Sequence, residues 1–291
     1  MRTSGTILCL ASAAAFGAMA IFGKLAYDEG ATVGTLLAVR FALAAALLWM
    51  VLLATGAAAD VRAAGARAIA IAVALGALGY AAQSGAYFAA LQRIDASLLS
   101  MLVYTFPAIV AVAAIALGRE RADGPRLAAV ALATAGLVLI LAGTGAGPLD
   151  PLGAALGLAA ALVYSAYILV GESVVGLMRP LVLATLVCTS AAISLSAGAA
   201  AAGELQPGEL TAAAWGWLAC LAAVSTVAAI GLFFAGLERV GPTSASMLST
   251  VEPLVTVLLA FVAFGETLAP VQMLGGGLVL GGVVALQARV V

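Results

Sequence analysis

Histidine is absent from this 291-residue chain, cysteine occurs three times, and only 9% of the residues are charged. Without histidine, and with no clustered cysteine or aspartate, the usual ligand set for structural zinc is missing. Cys9, Cys188 and Cys220 each sit inside an apolar run, which leaves neither a disulfide framework nor a CxxC metal pair. The net charge is −1 and there is no basic block or aromatic-interleaved basic patch, so nothing points to nucleic acid. No Walker-type loop is present for ATP. Ser/Lys pairs, Asp pairs and a His cluster are also missing from the apolar segments, so the chain does not read as an enzyme and implies no cofactor.

What fills the chain instead is hydrocarbon. About two thirds of the residues are hydrophobic (65%) and the mean hydropathy is +1.22, which places the whole chain in a membrane. Apolar runs long enough to cross about 30 Å of lipid fall at roughly 5–27, 32–55, 67–92, 96–118, 124–144, 152–175, 180–203, 211–237, 243–265 and 269–288. The first run follows Met1-Arg2-Thr3-Ser4 and reaches Lys24, too long for a signal-peptide core, and reads as a retained span. Short joints carry the punctuation: Asp28-Glu29-Gly30, Gly56 with Asp60, Gly124-Pro125, Gly147-Pro148, Arg179-Pro180, Pro207-Gly208, Gly241-Pro242 and Ala269-Pro270. The expectation is ten helices with no soluble domain.

The arginines set the orientation. With the N-terminus in the cytoplasm, Arg2, Arg62, Arg67, Arg119, Arg121, Arg126, Arg179, Arg239 and Arg289 are inside and only Arg93 is outside. The outer joints are acidic, with Asp28, Glu29, Asp95, Asp150, Glu204, Glu209 and Glu266. This bias follows the positive-inside rule and predicts both termini on the cytoplasmic side of a bacterial inner membrane.

The chain also repeats itself. Residues 88–120 match 234–266 without a gap at an offset of 146, pairing Phe88/Phe234, Arg93/Arg239, Ser100/Ser246, Met101/Met247, Leu102/Leu248, Pro107/Pro253 and Glu120/Glu266. A weaker echo sets Phe16-Gly17-Ala18 and Gly23 against Tyr164-Ser165-Ala166 and Gly171 at an offset of 148. Two units follow, 1–146 and 147–291. Each holds five spans, an odd number, so the second must cross the membrane in the opposite sense. Inverted repeats are the usual scaffold for alternating access, with substrate near the midplane. The expected fold class is an all-α membrane protein, ten transmembrane helices forming two inverted five-helix repeats around a central cavity.

The repeat cores, Ser100-Met101-Leu102-Val103-Tyr104-Thr105-Phe106-Pro107 to Gly118-Arg119-Glu120 and Ser246-Met247-Leu248-Ser249-Thr250-Val251-Glu252-Pro253 to Phe264-Gly265-Glu266, resemble the two EamA domains of the drug/metabolite transporter superfamily. Val39-Arg40-Phe41 in the second span fits the same pattern. Within that superfamily the chain is most similar to the YddG-type exporters. The resemblance implies a carrier that exports aromatic and other amino acids or related metabolites; relatives also move nucleosides and sugars.

Ionisable groups inside the membrane each ask for a reason, since one at mid-bilayer costs about 2.5–3.5 kcal/mol on insertion scales. Lys24 either snorkels and pairs with Asp28 one turn on, or receives a substrate carboxylate. Arg40, roughly 12 Å inside its span, either bonds carbonyls of a bent neighbour or recognises a carboxylate. Glu252 replaces Phe106 of the first repeat. It is read as a partner for Arg40 or for backbone, as a proton-coupling site, or as a ligand for a substrate ammonium. Pro107 and Pro253 are expected to kink their helices and free carbonyls.

Tyr80, Gln83, Ser84 and Tyr87 fall on one helix face and, with Tyr104, Tyr164, Tyr167, Ser225 and Thr226, form either packing or a pocket wall. Trp215 and Trp217 suit the interfacial belt, and Gly275-Gly276-Gly277 with Gly281-Gly282 suits close helix packing or a dimer contact. The expected partners are a small-molecule substrate and the lipid bilayer, with the protein a monomer or weak homodimer. The alternative function is a multidrug or cationic-metabolite exporter coupled to protons.

Overall fold

The computed structural model describes residues 2–143 and 150–287. Among them ten helices are long and apolar enough to cross a membrane: α1 (Thr3–Asp28), α2 (Val33–Ala54), α3 (Ala66–Leu91), α4 (Ala96–Ala116), α5 (Gly124–Ala142), α6 (Pro151–Val174), α7 (Pro180–Ala201), α8 (Ala212–Val240), α9 (Ser244–Phe264) and α10 (Pro270–Gln287). The expected division at 146/147, the Gly147-Pro148 joint and Arg289 lie outside the described residues. Ten crossings bring both ends of the chain to one face, here the terminal face; the other is the distal face.

Local chemistry sets the helix ends. Thr32, Asp123, Asp150 and Thr211 are N-caps whose side-chain oxygens accept from backbone N–H groups of the first turn. Proline stands in the first turn of α5, α6 and α7, where its missing N–H has no intrahelical partner to lose. At the far end of α9, Gly265 takes a left-handed φ of 69°, which a side chain would disfavour, and turns Glu266 back toward the bundle.

The two halves interleave. Gly5 of α1 lies so close to α8 that an added Cβ would meet Val240 at 2.6 Å and Arg239 at 2.7 Å, while one on Gly153 of α6 would meet Ile94 at 2.7 Å and Arg93 at 2.9 Å, just past the end of α3. These are equivalent contacts, because 153 − 5 = 148 and 239 − 93 = 146. The first helix of each unit therefore packs on the third helix of the other.

Distortions repeat as well. Single π-helical turns occupy Leu75–Tyr80 in α3 and Ala223–Ala228 in α8, 148 residues apart. Both α4 and α9 are interrupted, the first between Val103 and Phe106 and the second between Ser249 and Glu252, 146 residues apart. The cause of the breaks is Pro107 and Pro253. Each lacks the N–H that would bond four residues back and clashes with that carbonyl, so the helix gives way just before the ring.

The glycine stripe of α10 packs inside the chain. A Cβ on Gly275 would lie 2.6 Å from the Gly136 carbonyl oxygen of α5, one on Gly136 would lie 2.5 Å from the Gly275 carbonyl oxygen, and one on Gly282 would lie 2.7 Å from that of Ala129. Gly277 and Gly281 face open space. Backbones at this range gain dispersion contact that no larger residue permits. Gly275→Val is therefore expected to destabilise the protein by at least about 1–3 kcal/mol through overpacking, while Gly277→Val leaves the melting temperature in detergent unchanged.

Candidate functional site

The breaks in α4 and α9 meet at the centre. Pro253 cannot bond the Ser249 carbonyl, and the Tyr104 hydroxyl donates to that orphan oxygen at 2.6 Å. The same hydroxyl lies 3.3 Å from Oε2 of Glu252. Across the centre the Ser165 hydroxyl, which donates to the Ala161 carbonyl at 2.7 Å, lies 3.2 Å from the Phe106 carbonyl, and Thr256 donates to the Gly17 carbonyl at 3.0 Å. The carbonyl released by Pro253 is thus bonded within the protein, as lipid requires.

An arc of six rings starts beside Glu252. Tyr104 packs against Phe106 (5.8 Å between centroids), Phe106 against Tyr164 (4.7 Å), Tyr164 against Tyr167 (6.1 Å), Tyr167 against Tyr80 (5.9 Å) and Tyr80 against Phe41 (5.0 Å). Glu252, Phe106, Tyr164, Tyr167 and Tyr80 are partly buried. Tyr80, Tyr164 and Glu252 each stand two residues, about 200° round the helix, from a leucine exposed on the outside of the bundle: Leu78, Leu162 and Leu254. Their side chains therefore point inward, away from that outer surface.

Arg40 closes the other end of the arc. Its guanidinium lies 4.9 Å from the Phe41 ring and 5.2 Å from the Phe88 ring, donates from Nε to Thr226 Oγ1 at 3.3 Å, and approaches Met19 Sδ at 3.1 Å. It is 1% exposed and makes no ion pair among the described residues. The pairing of Arg40 with Glu252, one of the alternatives for the acid, does not occur; rings and a hydroxyl surround the cation, and Glu252 lies beside the Tyr104 hydroxyl instead. Nor does Arg40 bond freed carbonyls. Thr226, which receives its Nε–H, spends its own proton on the Leu221 carbonyl five residues back, at the start of the π-turn.

The remaining expected pocket residues scatter. Tyr87 is buried edge-on against Phe88, and Gln83 is buried with Ser84 donating to it at 3.2 Å. Ser225 is fully buried, and its hydroxyl has no hydrogen-bond partner. Trp215 is exposed, whereas Trp217 stacks on Phe22 at 6.1 Å. Phe41, Phe88 and Phe106 were not among the expected site residues; Phe106 had a signal, being the repeat mate of Glu252.

Lys24 belongs to a different cluster, at the distal face. Its partner is not Asp28: Nζ lies 2.5 Å from Glu266 Oε1 and 3.8 Å from Asp95, because Gly265 swings Glu266 under the end of α1. Glu266 also accepts from the N–H of Ala96 (3.2 Å), the N–H of Ser97 (3.0 Å) and the Ser97 hydroxyl (2.9 Å), capping the start of α4. Burial pushes the Glu266 carboxyl up, but the Lys24 ammonium and the Ser97 donors outweigh it and hold the group below the ordinary carboxylate range. Burial and the Glu266 charge push Asp95 the other way, against Lys24.

Two grooves flank the centre. One of about 290 Å³ lies between α2, α3 and α7 toward the distal face, against Gly34, Leu37, Ala81, Leu195 and Gly198. The other, about 330 Å³, lies between α2, α7 and α8 toward the terminal face, against Leu48, Val51, Leu181, Ile230 and Phe234. Leu48/Leu195 and Val51/Gly198 are each 147 residues apart, so the grooves are related by the internal repeat. None of the expected cavity residues lines either one.

The sequence pattern described as the EamA-like transporter family matches residues 3–142 and, a second time, 151–287. A protein named "Uncharacterized transporter" from Archaeoglobus fulgidus is 28% identical over 199 residues, spanning 68% of this chain and 69% of its own. A solved structure described only as the crystal structure of a protein superposes with a TM-score of 0.68, covering 100% of this chain and 98% of the other at 19% identity, a likeness of fold.

Two expectations follow from the geometry. Arg40→Met keeps an apolar stem and removes a cation without an acidic partner, so its melting temperature equals or exceeds the parent's, while Arg40→Ala loses about 2–4 kcal/mol. Glu266, with its folded pKa depressed, adds stability that is complete above the unfolded value of about 4.3 and is lost as pH falls through the folded value. Glu266→Gln should therefore lower the melting temperature at about pH 6 and narrow its difference from that at about pH 3.5.

Proposed function

The chain belongs to the EamA-like transporter family, and on that premise we propose that it exports small amphipathic solutes carrying an ammonium group, foremost aromatic and other neutral amino acids, by alternating access. The terminal face is cytoplasmic in this reading, supported by eight arginines there among the described residues against one in the distal joints. The membrane is the bacterial inner membrane.

The observation that carries the reading is Glu252. It is a carboxylate at mid-span, partly buried, with the Tyr104 hydroxyl oxygen 3.3 Å away and no cation paired to it among the described residues. Phe106 stands beside that tyrosine and Tyr164 beside Phe106. A primary ammonium suits this setting, since a carboxylate supplies a charge-assisted bond and ring faces attract the same cation. The rest of the arc is a surface for an aromatic or aliphatic side chain.

One observation favours a second reading. Arg40, the deep cation that would receive an amino acid's carboxylate, is sealed by Phe41, Phe88, Thr226 and Met19. A carrier offering an acid but no free cation suits amines without a carboxylate, exchanged for protons at Glu252.

Counterflow in proteoliposomes separates the two. The first reading expects saturable phenylalanine exchange that phenethylamine inhibits; exchange of phenethylamine alone, dependent on a proton gradient, selects the second. Under either, Glu252→Gln lowers exchange about tenfold or more, the loss of one charge-assisted bond of about 1.5–3 kcal/mol. Normal exchange by that variant overturns both.

A further inference from the structure

The two ends of an inverted-repeat carrier are built from equivalent residues, so a difference between them is a property of the state and of the sequence. At the distal face Gly23 of α1 is pressed on α3: a Cβ there would lie 2.7 Å from Phe88 and 3.0 Å from Leu91. Its mate at the terminal face is Gly171 of α6 (23 + 148), which should meet Phe234 and Leu237 of α8 (88 + 146 and 91 + 146). A Cβ at Gly171 meets nothing within 4 Å among the described residues. The start of α4 is likewise shut in, with Ser97 1% and Ser100 7% exposed, whereas Ser244 is exposed and Ser246, the mate of Ser100, is half-exposed at the start of α9.

The chemistry differs along with the packing. The distal closure is a helix cap across the seam: Glu266 of the α9 end grips the first amides of α4 while Lys24 neutralises it and reaches Asp95. The mates of Glu266, Lys24, Asp95 and Ala96 are Glu120, Glu172, Gly241 and Pro242 (266 − 146, 24 + 148, 95 + 146, 96 + 146). At the terminal face, then, lysine is replaced by a second carboxylate, the second acid is lost, and one capping amide becomes a proline with no N–H to give. Glu120 pairs with Arg126 at 3.1 Å and Glu172 with Arg119 at 3.3 Å, and neither spans to α9. Closing that face as the distal face is closed would bring two carboxylates together without the lysine.

We infer that the protein rests with its distal gate shut and its terminal gate open, and that the Lys24–Glu266 latch on the α4 N-terminus, which has no chemical equivalent at the other end, sets that bias. The inference rests on the transport reading but on no particular substrate. Removing the latch, or giving the terminal face one, shifts the resting population toward the distal-open state.

The test is cysteine reactivity with a membrane-impermeant maleimide, in a background with Cys9, Cys188 and Cys220 replaced by alanine. Ser97, Ser100 and Tyr104 form one stripe of α4, spaced three and four residues apart, running from the latch to Glu252. Ser100→Cys is expected to be protected from the distal side in the parent and to react at least about tenfold faster with Lys24→Glu, while Ser246→Cys, labelled from the terminal side, slows. The charge swap Lys24→Glu with Glu266→Lys restores protection. Should Lys24→Glu fail to fold, Glu172→Lys, which leaves the distal latch intact, is expected to move both reporters in the same directions. Ready distal labelling of Ser100→Cys in the parent, or reporters indifferent to the charge changes, overturns the inference. Labelling needs no substrate, so this result and the counterflow result stand or fall separately.

Discussion

Every backbone N–H and C=O in the hydrocarbon region must find a partner inside the protein, and this fold is shaped by where that requirement is hardest to meet. Ten helices meet it by themselves. The exceptions are the interruptions before Pro107 and Pro253 and the π-turns in α3 and α8. Two of them carry a side chain that repairs them: the Tyr104 hydroxyl donates to the Ser249 carbonyl and the Thr226 hydroxyl to that of Leu221. Irregular backbone is tolerated in a bilayer only where protein or a cavity surrounds it, so the four defects mark the centre of the molecule as distinct from its lipid-facing shell.

Because the defects come in pairs, the centre is approached by two copies of the same broken helix. The copies differ where they matter most. Position 106 carries phenylalanine and position 252 glutamate; position 104 carries tyrosine and position 250 threonine. A duplicated scaffold thus holds an acid on one side and aromatic rings on the other. The ends diverge in the same manner, with Lys24 against Glu172 and Ala96 against Pro242. Symmetry supplies two comparable ends and a shared middle, and departures from it supply polarity.

Much of this was legible in the sequence. The ten spans, the offsets of 146 and 148 and the odd number of helices per half required only hydrophobic length and register. The prolines located the breaks to within a few residues. Less legible was anything that depends on which helix faces meet. Lys24 was expected to reach Asp28 one turn away, because (i, i+4) pairing can be read locally; its partner Glu266 comes from the other end of the chain. Arg40 was weighed against Glu252 because both are deep charges, yet depth does not fix direction, and the arginine points into Phe41 and Phe88. The π-turns leave no mark in composition, since one extra residue in a turn changes no periodicity that a window of apolar residues would register.

The claim beneath all of this is that one five-helix plan is placed twice, upside down, and that its two ends are closed in turn. Spin labels at Gln92 and Thr267 on the distal face, and at their mates Glu238 and Arg121 on the terminal face (92 + 146 and 121 + 146), measure both gates by the same ruler. Pulsed dipolar spectroscopy should give a shorter distance for the distal pair than for the terminal pair at rest. Under added solute a second population should grow in which the order is reversed. Equal distances at the two faces, or both lengthening together, would contradict the account.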